Sequence, residues 1–513
     1  MKISDRSIDI GILFIFVVYA SCSIIFGAFS STDGFINPDS AEYLRASERL
    51  LSGYGFFVPG TGRLGEAEDV LFAVWPVGYP SLIAIVSLVS GLSTFAASKV
   101  LNSILITIAI VALYKKFNRK GLIAASILLT AGTLKIYTMT WAEAAFITSL
   151  IILIIYIVNI FENKIKLNFF ECLFLLILAS LPFFFRYIGL FVMAPLVFFC
   201  FYLHFLNRSS DAIKLALITI LASLICIVYL YTNLQYTGHK TGMLRIPAPE
   251  SYSTWFRVLA TAIAHEFILF APNWSPDFAW IPEFAKKGNT IIYLWCVSIF
   301  WLVVTFISFS MLVRELKHHK IILPNFASSI FLLFGLIYIF ALCYARWTVH
   351  FNLFFYRSLD PGFSLIFIGI ILWILQHGGH VKRITVIFLS ISILIVGVTN
   401  SYLVYSGFSS GFTYNNNIQA LNKKYSELPD KAIVLFGDDH LRYLKPNVRL
   451  IHSKKPPYSE FETFNELLSS LDSEADLYID NGAIKQDLSR LHESFQLVLK
   501  NYPFDKDSVY KFK

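Results

Sequence analysis

The sequence predicts a polytopic α-helical membrane protein with about eleven spans, further helices at the outer membrane surface, and a small C-terminal α/β domain. Composition is the first reason: of 513 residues, 56% are hydrophobic and only 15% are charged, and the mean hydropathy is +0.63. Soluble domains carry about 25% charged residues, so the bilayer is the natural solvent for this chain. The second reason is that long apolar runs alternate with short loops rich in Lys and Arg, which is typical of multi-pass membrane proteins.

A helix that crosses a bilayer takes about 20 residues, and eleven apolar segments are candidates for such spans. They are Ile8–Ser30, Ser98–Lys116, Gly121–Tyr137, Ala142–Phe161, Phe169–Phe185, Ile188–Leu206, Ile213–Thr232, Thr290–Val313, Ile322–Ala345, Gly362–Gln376 and Arg383–Tyr405.

One further apolar stretch, Gly78–Ser90, is too short to cross comfortably, because at about 1.5 Å per residue it reaches only about 20 Å. We expect it to lie half-inserted or tilted at the outer side. The basic loops then all fall on the cytoplasmic side together with the N-terminus, as the charge bias of membrane proteins requires. The C-terminus falls outside, and the short loops favour a bacterial inner membrane. The basic loops are Lys115–Lys120, Glu162–Lys166, Asn207–Lys214, Arg314–Lys320 and His377–Arg383.

This topology divides the chain into two parts. Residues 1–405 form the membrane domain, with a first outer loop at 31–76 and a large outer loop at 233–289. Residues 406–513 differ, because segments with strand character such as KAIVLFGDD and DLYID alternate with segments of helical spacing such as FETFNELLSSL. That alternation predicts a small extracytoplasmic α/β domain.

The first outer loop begins with an acid-bearing helical pattern, NPDSAEYLRASERLLSGYGF. Asp39 or Ser40 is placed to cap the helix. The apolar residues after them fall on one face and the charged residues on another, which predicts an amphipathic helix lying on the outer leaflet. Asp39 then sits at headgroup depth, where the first span emerges. Taken alone, it needs no role beyond helix capping.

Three motifs follow one another in this loop and carry a resemblance. They are Asp-Ser-x-x-Tyr from Asp39, Ser-Gly-x-Gly-Phe from Ser52 and Trp-Pro-x-Gly-Tyr-Pro-x-Leu from Trp75. Together they resemble the first outer loop of the GT-C glycosyltransferases, and more narrowly the bacterial branch related to protein mannosyltransferases and the lipid A aminoarabinose transferase. The resemblance covers roughly residues 8 to 405. It implies an integral-membrane enzyme that takes a sugar from a polyprenyl-phosphate carrier on the outer face and gives it to a glycan, lipid or protein acceptor.

The resemblance also implies which residues act. Asp39 matches the first-loop catalytic carboxylate, and Glu143 matches a second acidic position, although Ala142 stands where Ser is common. Arg186 lies in a turn that resembles Arg-Tyr-x-Gly-Leu. Arg357 lies in a segment similar to the late motif thought to face the donor phosphate, with Ser358 replacing its aromatic residue.

The chemistry of sugar transfer agrees with these residue types. A carboxylate within hydrogen-bond reach takes the proton of the acceptor hydroxyl, while fixed cations stabilise the departing lipid phosphate. Arg binds phosphate bidentately, so Arg186, Arg346 and Arg357 are the predicted donor-phosphate ligands. A single displacement predicts inversion at the anomeric carbon. Further candidates for substrate contacts are Tyr43, Tyr79, Tyr187, His350, Lys240 and Arg245. The plain alternative is that such Arg and Tyr side chains only contact the lipid headgroup region.

Two other functions remain open at this point. A transporter or flippase of lipid-linked sugars would show internal repeats and broken helices near the bilayer midplane. A surface-polysaccharide polymerase or ligase would place its Arg and His residues in the large outer loop. No cofactor is expected; no metal-ligand set stands out, so we expect metal-independent transfer, with a divalent metal not excluded. The +8 net charge belongs to short membrane-flanking loops and does not indicate nucleic acid.

Overall fold

The computed structural model of the chain describes residues 5–59, 69–163, 165–242, 324–348, 356–376, 411–430, 432–435, 438–451, 476–480 and 509–511, together with the single positions 253, 255, 259 and 390. The helices in chain order are α1 (Asp5–Ser30), α2 (Pro38–Leu51), α3 (Gly78–Ser90), α4 (Thr94–Phe117), α5 (Arg119–Ala125), α6 (Ala131–Thr138), α7 (Ala142–Glu162), α8 (Phe169–Phe185), α9 (Met193–Phe205), α10 (Ser209–Thr237), α11 (Phe326–Thr348), α12 (Tyr356–Ile374), α13 (Thr413–Lys424) and α14 (Leu441–Leu444). The strands are β1 (Phe57–Pro59), β2 (Asp69–Leu71), β3 (Ile433–Leu435), β4 (Arg449–Ile451), β5 (Leu477–Asp480) and β6 (Val509–Lys511).

The chain is a multi-pass membrane protein. Within the described residues, seven helical segments are long and apolar enough to cross a bilayer. They lie in α1, α4, α7, α9 with the 3₁₀ turn before it, α10, α11 and α12. Two predicted spans, Thr290–Val313 and Arg383–Tyr405, lie outside the described residues.

The helix ends follow from local sequence. Ser93 caps α4 by accepting a hydrogen bond from the amide of Ala96 at 3.3 Å, and Asn168 caps α8 by accepting from the amide of Glu171 at 2.9 Å. α10 ends at Gly238, whose φ of +71° is the left-handed conformation that glycine adopts without strain.

The predicted span Gly121–Tyr137 is not one straight helix, which corrects the sequence prediction. It consists of α5, a 3₁₀ turn at Ser126–Leu129 and α6, with a bend of 71° between its two halves. The reason lies in the hydroxyl side chains at the break, because Ser126 donates to the carbonyl of Ile123 at 2.6 Å and Thr130 to that of Ile127 at 2.8 Å. Such bonds compete with the helical ladder.

The short helix α3 begins and ends at the same end of the bundle. Near its start, the Tyr79 ring packs on Tyr43 of α2 with centroids 5.3 Å apart. Just after its end, Thr94 donates a 2.6 Å hydrogen bond to Glu48, which is also in α2. Both ends of α3 therefore lie beside α2, and the helix does not cross the bilayer, as its length predicts. We call this end of the bundle the α2 end.

The last part of the chain forms a four-stranded sheet in the order β4-β3-β5-β6. β3 pairs in parallel with β4 and β5, and β6 adds an antiparallel edge. α13 precedes the sheet, and a small apolar core lies beneath it at Tyr425, Val434 and Leu450. The predicted helix at 461–471 lies outside the described residues.

The sequence predicted α2 as an amphipathic helix lying on the outer leaflet, whereas in the structure its basic side chains are buried. Arg45 is fully buried and Arg49 is 3% exposed. The C-terminal part covers this face: Arg45 donates to the carbonyl of Val448 at 2.8 Å, and Arg49 to the side chain of Asn447 at 2.6 Å. The charged face of α2 is thus an internal docking surface.

Candidate active site

The first element of the site is the start of α2. Asn37 is the N-cap, since its side-chain oxygen accepts from the amide and the hydroxyl of Ser40, both at 2.8 Å. Neither Asp39 nor Ser40 is the cap, contrary to the sequence expectation. The Asp39 carboxylate in the first turn is 30% exposed and pairs with Arg357.

The second carboxylate comes from the start of α7. Glu143 lies in the first turn of that helix and is fully buried. Trp141, two residues before Glu143, donates from its ring nitrogen to the side-chain oxygen of Asn37 at 3.1 Å. This bond ties the start of α7 to the start of α2, so that the two acidic residues are held on neighbouring helix ends.

Two guanidinium groups bind these acids. Arg186, at the end of α8, pairs with Glu143. Arg357, in the first turn of α12, pairs with both Glu143 and Asp39. Its guanidinium carbon also lies 4.4 Å from the centroid of the Trp141 ring, within the range of a cation–π contact. The order of charges is therefore Asp39, Arg357, Glu143, Arg186.

Close packing of α11 and α12 fixes Arg357. A Cβ on Gly335 would come within 2.6 Å of the Ile366 side chain, and one on Gly362 within 2.6 Å of the Tyr338 ring. Small residues let membrane helices approach in this way. Tyr338 also donates to the carbonyl of Ser358 at 2.6 Å, beside Arg357.

The exposures of the four side chains show how the cluster meets its surroundings. Glu143 is sealed at 0%, whereas Arg357, Arg186 and Asp39 are 17%, 24% and 30% exposed. Two acids and two guanidinium groups balance formally, so an incoming phosphate would add negative charge beside cations already in place. Glu143 Oε2 accepts no hydrogen bond from the described residues. The negative charge of this buried acid is therefore balanced by the two guanidinium groups that pair with its other oxygen.

The remaining predicted site residues have different surroundings. Tyr43 and Tyr79 are almost fully buried, and burial raises the pKa of Tyr43 far above its ordinary value, which keeps its phenol protonated. The Tyr187 hydroxyl donates to the carbonyl of Ala73 at 2.6 Å and accepts from Asn233 at 2.9 Å.

Four further basic residues were predicted for the site, and two of them lie outside the described residues. Arg346 is buried in the last turn of α11. Lys240 is exposed just beyond α10. Arg245 and His350 lie outside the described residues. Across the part of the chain that the structure describes, no three His, Cys, Asp or Glu side chains are grouped as a metal ion would need.

Comparison with known proteins places the fold. No protein-family model matches the chain, and no curated protein matches its sequence. Among solved structures, the apo form of an oligosaccharyltransferase from Archaeoglobus fulgidus superposes with a TM-score of 0.50 at 11% identity, over 97% of this chain and 73% of that one. The chain has a GT-C fold.

Two further structures are similar to the chain. ArnT from Cupriavidus metallidurans bound to undecaprenyl phosphate gives a TM-score of 0.49 at 10% identity, over 97% of this chain and 95% of that one. The archaeal oligosaccharyltransferase AglB from Archaeoglobus fulgidus, in complex with an inhibitory peptide and a dolichol-phosphate, gives 0.48 at 11% identity over 98% and 74%.

The sequence did not predict several residues that shape this site. Neither Asn37 nor Trp141 was predicted to belong to the site, yet their side chains join α2 to α7. Lys99 and Asn102, both fully buried in α4, received no role. A signal was available, because polar residues three apart on one face of a membrane helix are costly and need partners.

Proposed function

We propose that this protein is a glycosyltransferase that moves a sugar from a polyprenyl-phosphate donor to an acceptor glycan, lipid or protein at the outer face of the membrane. The observation that carries the proposal is Arg357, a single guanidinium paired with both Asp39 and Glu143 at the α2 end of the bundle. The fold agrees with a transferase, because the solved structure that superposes with a TM-score of 0.50 is that of an oligosaccharyltransferase.

The reaction follows from the types and exposures of these groups. Asp39 accepts the proton of the acceptor hydroxyl while the oxygen of that hydroxyl bonds to the anomeric carbon of the donor sugar. The bond from that carbon to the phosphate oxygen breaks, and its electron pair leaves with the lipid phosphate. One displacement of this kind inverts the anomeric centre.

Arg357 and Arg186 stabilise the leaving phosphate. A guanidinium has five N–H donors, and the bonds of Arg357 to the two acids use Nε and Nη1, which leaves Nη2 for the substrate. Preorganised cations at the place where charge develops lower the barrier without reorganising during the reaction. Glu143, held between both guanidinium groups, fixes their spacing. The mechanism assigned to these side chains uses no metal ion.

The charge distribution supports an outer-face site. The end opposite α2 carries basic residues beside the helix ends, among them Arg119, which pairs with Asp9, and Lys116, which pairs with Glu162. Cytoplasmic ends of membrane proteins carry such excess positive charge. The α2 end, with the acidic residues of the site, is then extracytoplasmic.

Transfer by the purified full-length protein tests the proposal. Radiolabelled polyprenyl-phosphate sugars are supplied with candidate acceptors, and the wild type is compared with Asp39→Asn and with the exposed control Asp430→Asn. We expect Asp39→Asn to lose at least about 10²-fold in rate, as loss of a general base does, while Asp430→Asn keeps its activity. The anomeric configuration of the product, read by NMR, should be inverted. Equal transfer by wild type and Asp39→Asn would refute the assignment of the base.

One observation favours the flippase as second candidate. Asp360, one helical turn after Arg357 in α12, is buried and accepts hydrogen bonds from Thr133 and Ser364 at 3.1 and 3.2 Å. Thr133 lies in α6, which belongs to the bent pair of helices α5 and α6. Buried acids beside broken helices occur in transporters. Movement of a lipid-linked sugar across liposomes without any transfer would favour that function.

A further inference from the structure

A buried network from α4 binds the corner that leads into Glu143. The side-chain nitrogen of Asn102 donates to the carbonyls of Tyr137 at 2.8 Å and Met139 at 2.7 Å. Lys99 donates to the carbonyl of Thr138 at 2.8 Å, between those two. Three successive carbonyls at the end of α6 are thus bound by two side chains from another helix.

These bonds matter because of where the corner lies. The last carbonyls of a helix have no partner within it, and leaving them unpaired in an apolar interior costs about 1–3 kcal/mol each. Lys99 also donates to the Thr140 hydroxyl at 3.0 Å, so its bonds extend to the residue just before Trp141. Trp141, the N-cap of α7, supplies no side-chain capping hydrogen bond to the helix amides. The side chains that bind the corner carbonyls therefore come from α4, while the Trp141 ring is held by Asn37 at the start of α2.

The Asn102 amide is itself oriented by a tyrosine. Its oxygen accepts from the Tyr79 hydroxyl at 3.0 Å, which leaves both donors of the amide for the two carbonyls. The Tyr79 ring meets that of Tyr43 edge-on at 5.3 Å, and Tyr43 lies one helical turn after Asp39. A continuous buried path thus links the helix of one carboxylate to the corner that carries the other.

We infer that Lys99 and Asn102 are positioning residues, which set the place of Trp141 and Glu143 against Arg357 and so the fit of the site to its donor phosphate. This inference rests on the proposed function. Tyr79 acts by orienting Asn102, in place of the substrate contact predicted from sequence. In the described part of the chain no carboxylate forms an ion pair with Lys99, whose ammonium donates to the corner at Thr138 and Thr140 and lies 5.0 Å from the centroid of the Phe95 ring. Burying a lysine and an asparagine inside a membrane helix is costly, and an apolar helix would pack without them.

Variants of α4 test the inference. Asn102→Leu and Lys99→Met remove the donors and keep apolar bulk, and Tyr79→Phe removes only the hydroxyl that orients Asn102. The matched control is Thr107→Val on the same helix, since the Thr107 hydroxyl donates only to the carbonyl of Ser103 within α4, at 2.7 Å. Each full-length protein is examined by hydrogen exchange of the peptide covering 138–143 and by steady-state transfer from a polyprenyl-phosphate sugar.

We expect faster exchange at the corner and a kcat/KM for the donor lowered about 10- to 100-fold in Asn102→Leu and Lys99→Met, because misplacement of about 1 Å costs that much. Tyr79→Phe should give a smaller change in the same direction, and Thr107→Val none. In a Glu143→Gln background, the effect of Asn102→Leu on kcat/KM should largely disappear, because the two act through one contact. A merely structural role would instead give the same loss in both backgrounds.

The outcomes separate the inference from the function on which it rests. If the wild type transfers sugar but Asn102→Leu and Tyr79→Phe match Thr107→Val in both exchange and kcat/KM, the inference is overturned and the function stands. If the wild type transfers nothing, the proposed function fails, and the positioning role falls with it even where corner exchange rises.

Discussion

At the scale of single residues, Arg357 is the group on which the site depends. It contacts both carboxylates and lies over the Trp141 ring. A planar guanidinium can serve two acids and a ring face at once, whereas an ammonium group is a single compact charge. The identity of this residue as Arg is thus a requirement of the geometry.

We therefore expect Arg357→Lys to reduce sugar transfer strongly. The lysine keeps the positive charge but cannot bridge Asp39 and Glu143, so kcat/KM for the donor should fall at least about 10²-fold. Arg119→Lys, at a half-exposed arginine paired with Asp9 at the opposite end, should retain wild-type transfer. Measured kinetics of both proteins decide this, and near wild-type kcat/KM in the Arg357→Lys enzyme would contradict the bridging role.

The sequence predicted these site residues only through motif resemblance. Asp39 and Arg357 are 318 positions apart in the chain, and no local pattern reveals a contact over such a separation. Short motifs identified each residue as a candidate, and the fold supplied the pairing. Asn102 belongs to no such motif, so its bonds to the corner at 137 and 139 became visible only in three dimensions.

At the scale of elements, the C-terminal part and α2 form one unit. Arg45 donates to the carbonyls of Pro446 and Val448 at 3.1 and 2.8 Å, and Arg442 pairs with Glu42. Burial lowers the pKa of Arg45 to about 10, which leaves it charged at neutral pH. The sequence predicted the amphipathic pattern of α2 correctly but assigned its charged face to water, because a hydrophilic tail gives no local sign of where it docks.

We expect His440 to make this docking depend on pH. Its ring contacts Asp438 at 2.6 Å and the carbonyl of Asp33 at 3.1 Å, with Tyr414 and Tyr443 beside it. Burial alone lowers the pKa of His440, but the hydrogen bond and charge of Asp438 outweigh it, so the pKa is raised above 6.5. A raised pKa stabilises the folded state below pH 6.5, and this stabilisation is lost as the pH rises through the folded value.

The unfolding temperature of the wild type should therefore exceed that of His440→Gln most clearly below about pH 6.5, and the difference should shrink as the pH rises through the folded-state pKa of His440. Thermal unfolding in detergent across this range measures it. Asp438→Asn removes the partner that raises the pKa, so it should abolish most of the pH dependence. A difference between wild type and His440→Gln that is constant with pH would show that the imidazole does not titrate in the docked tail.

At the scale of the whole molecule, hydrophobic length predicted much of the bundle. The predicted bounds of Phe169–Phe185 coincide with α8, and Ala142–Phe161 differs from α7 by one residue. Hydropathy reports how well a segment suits an apolar environment and not whether its helix is straight, which is why the break at Ser126–Leu129 was not predicted. Side-chain hydroxyls decide that break, and they contribute little to a hydropathy average.

The orientation of the bundle gives the last prediction. Ser52 is exposed at the end of α2, and Lys120 is exposed at the start of α5, on the opposite end beside the Arg119–Asp9 pair. Single cysteines at these two positions, in a protein whose six native cysteines are replaced, report on which side each end lies. Because basic residues favour the cytoplasm, an impermeant maleimide added to intact cells should label Ser52→Cys at once and Lys120→Cys only after permeabilisation. The reverse pattern would place Asp39 and its arginines on the cytoplasmic side, and sugar transfer at the outer face would then be impossible for this site.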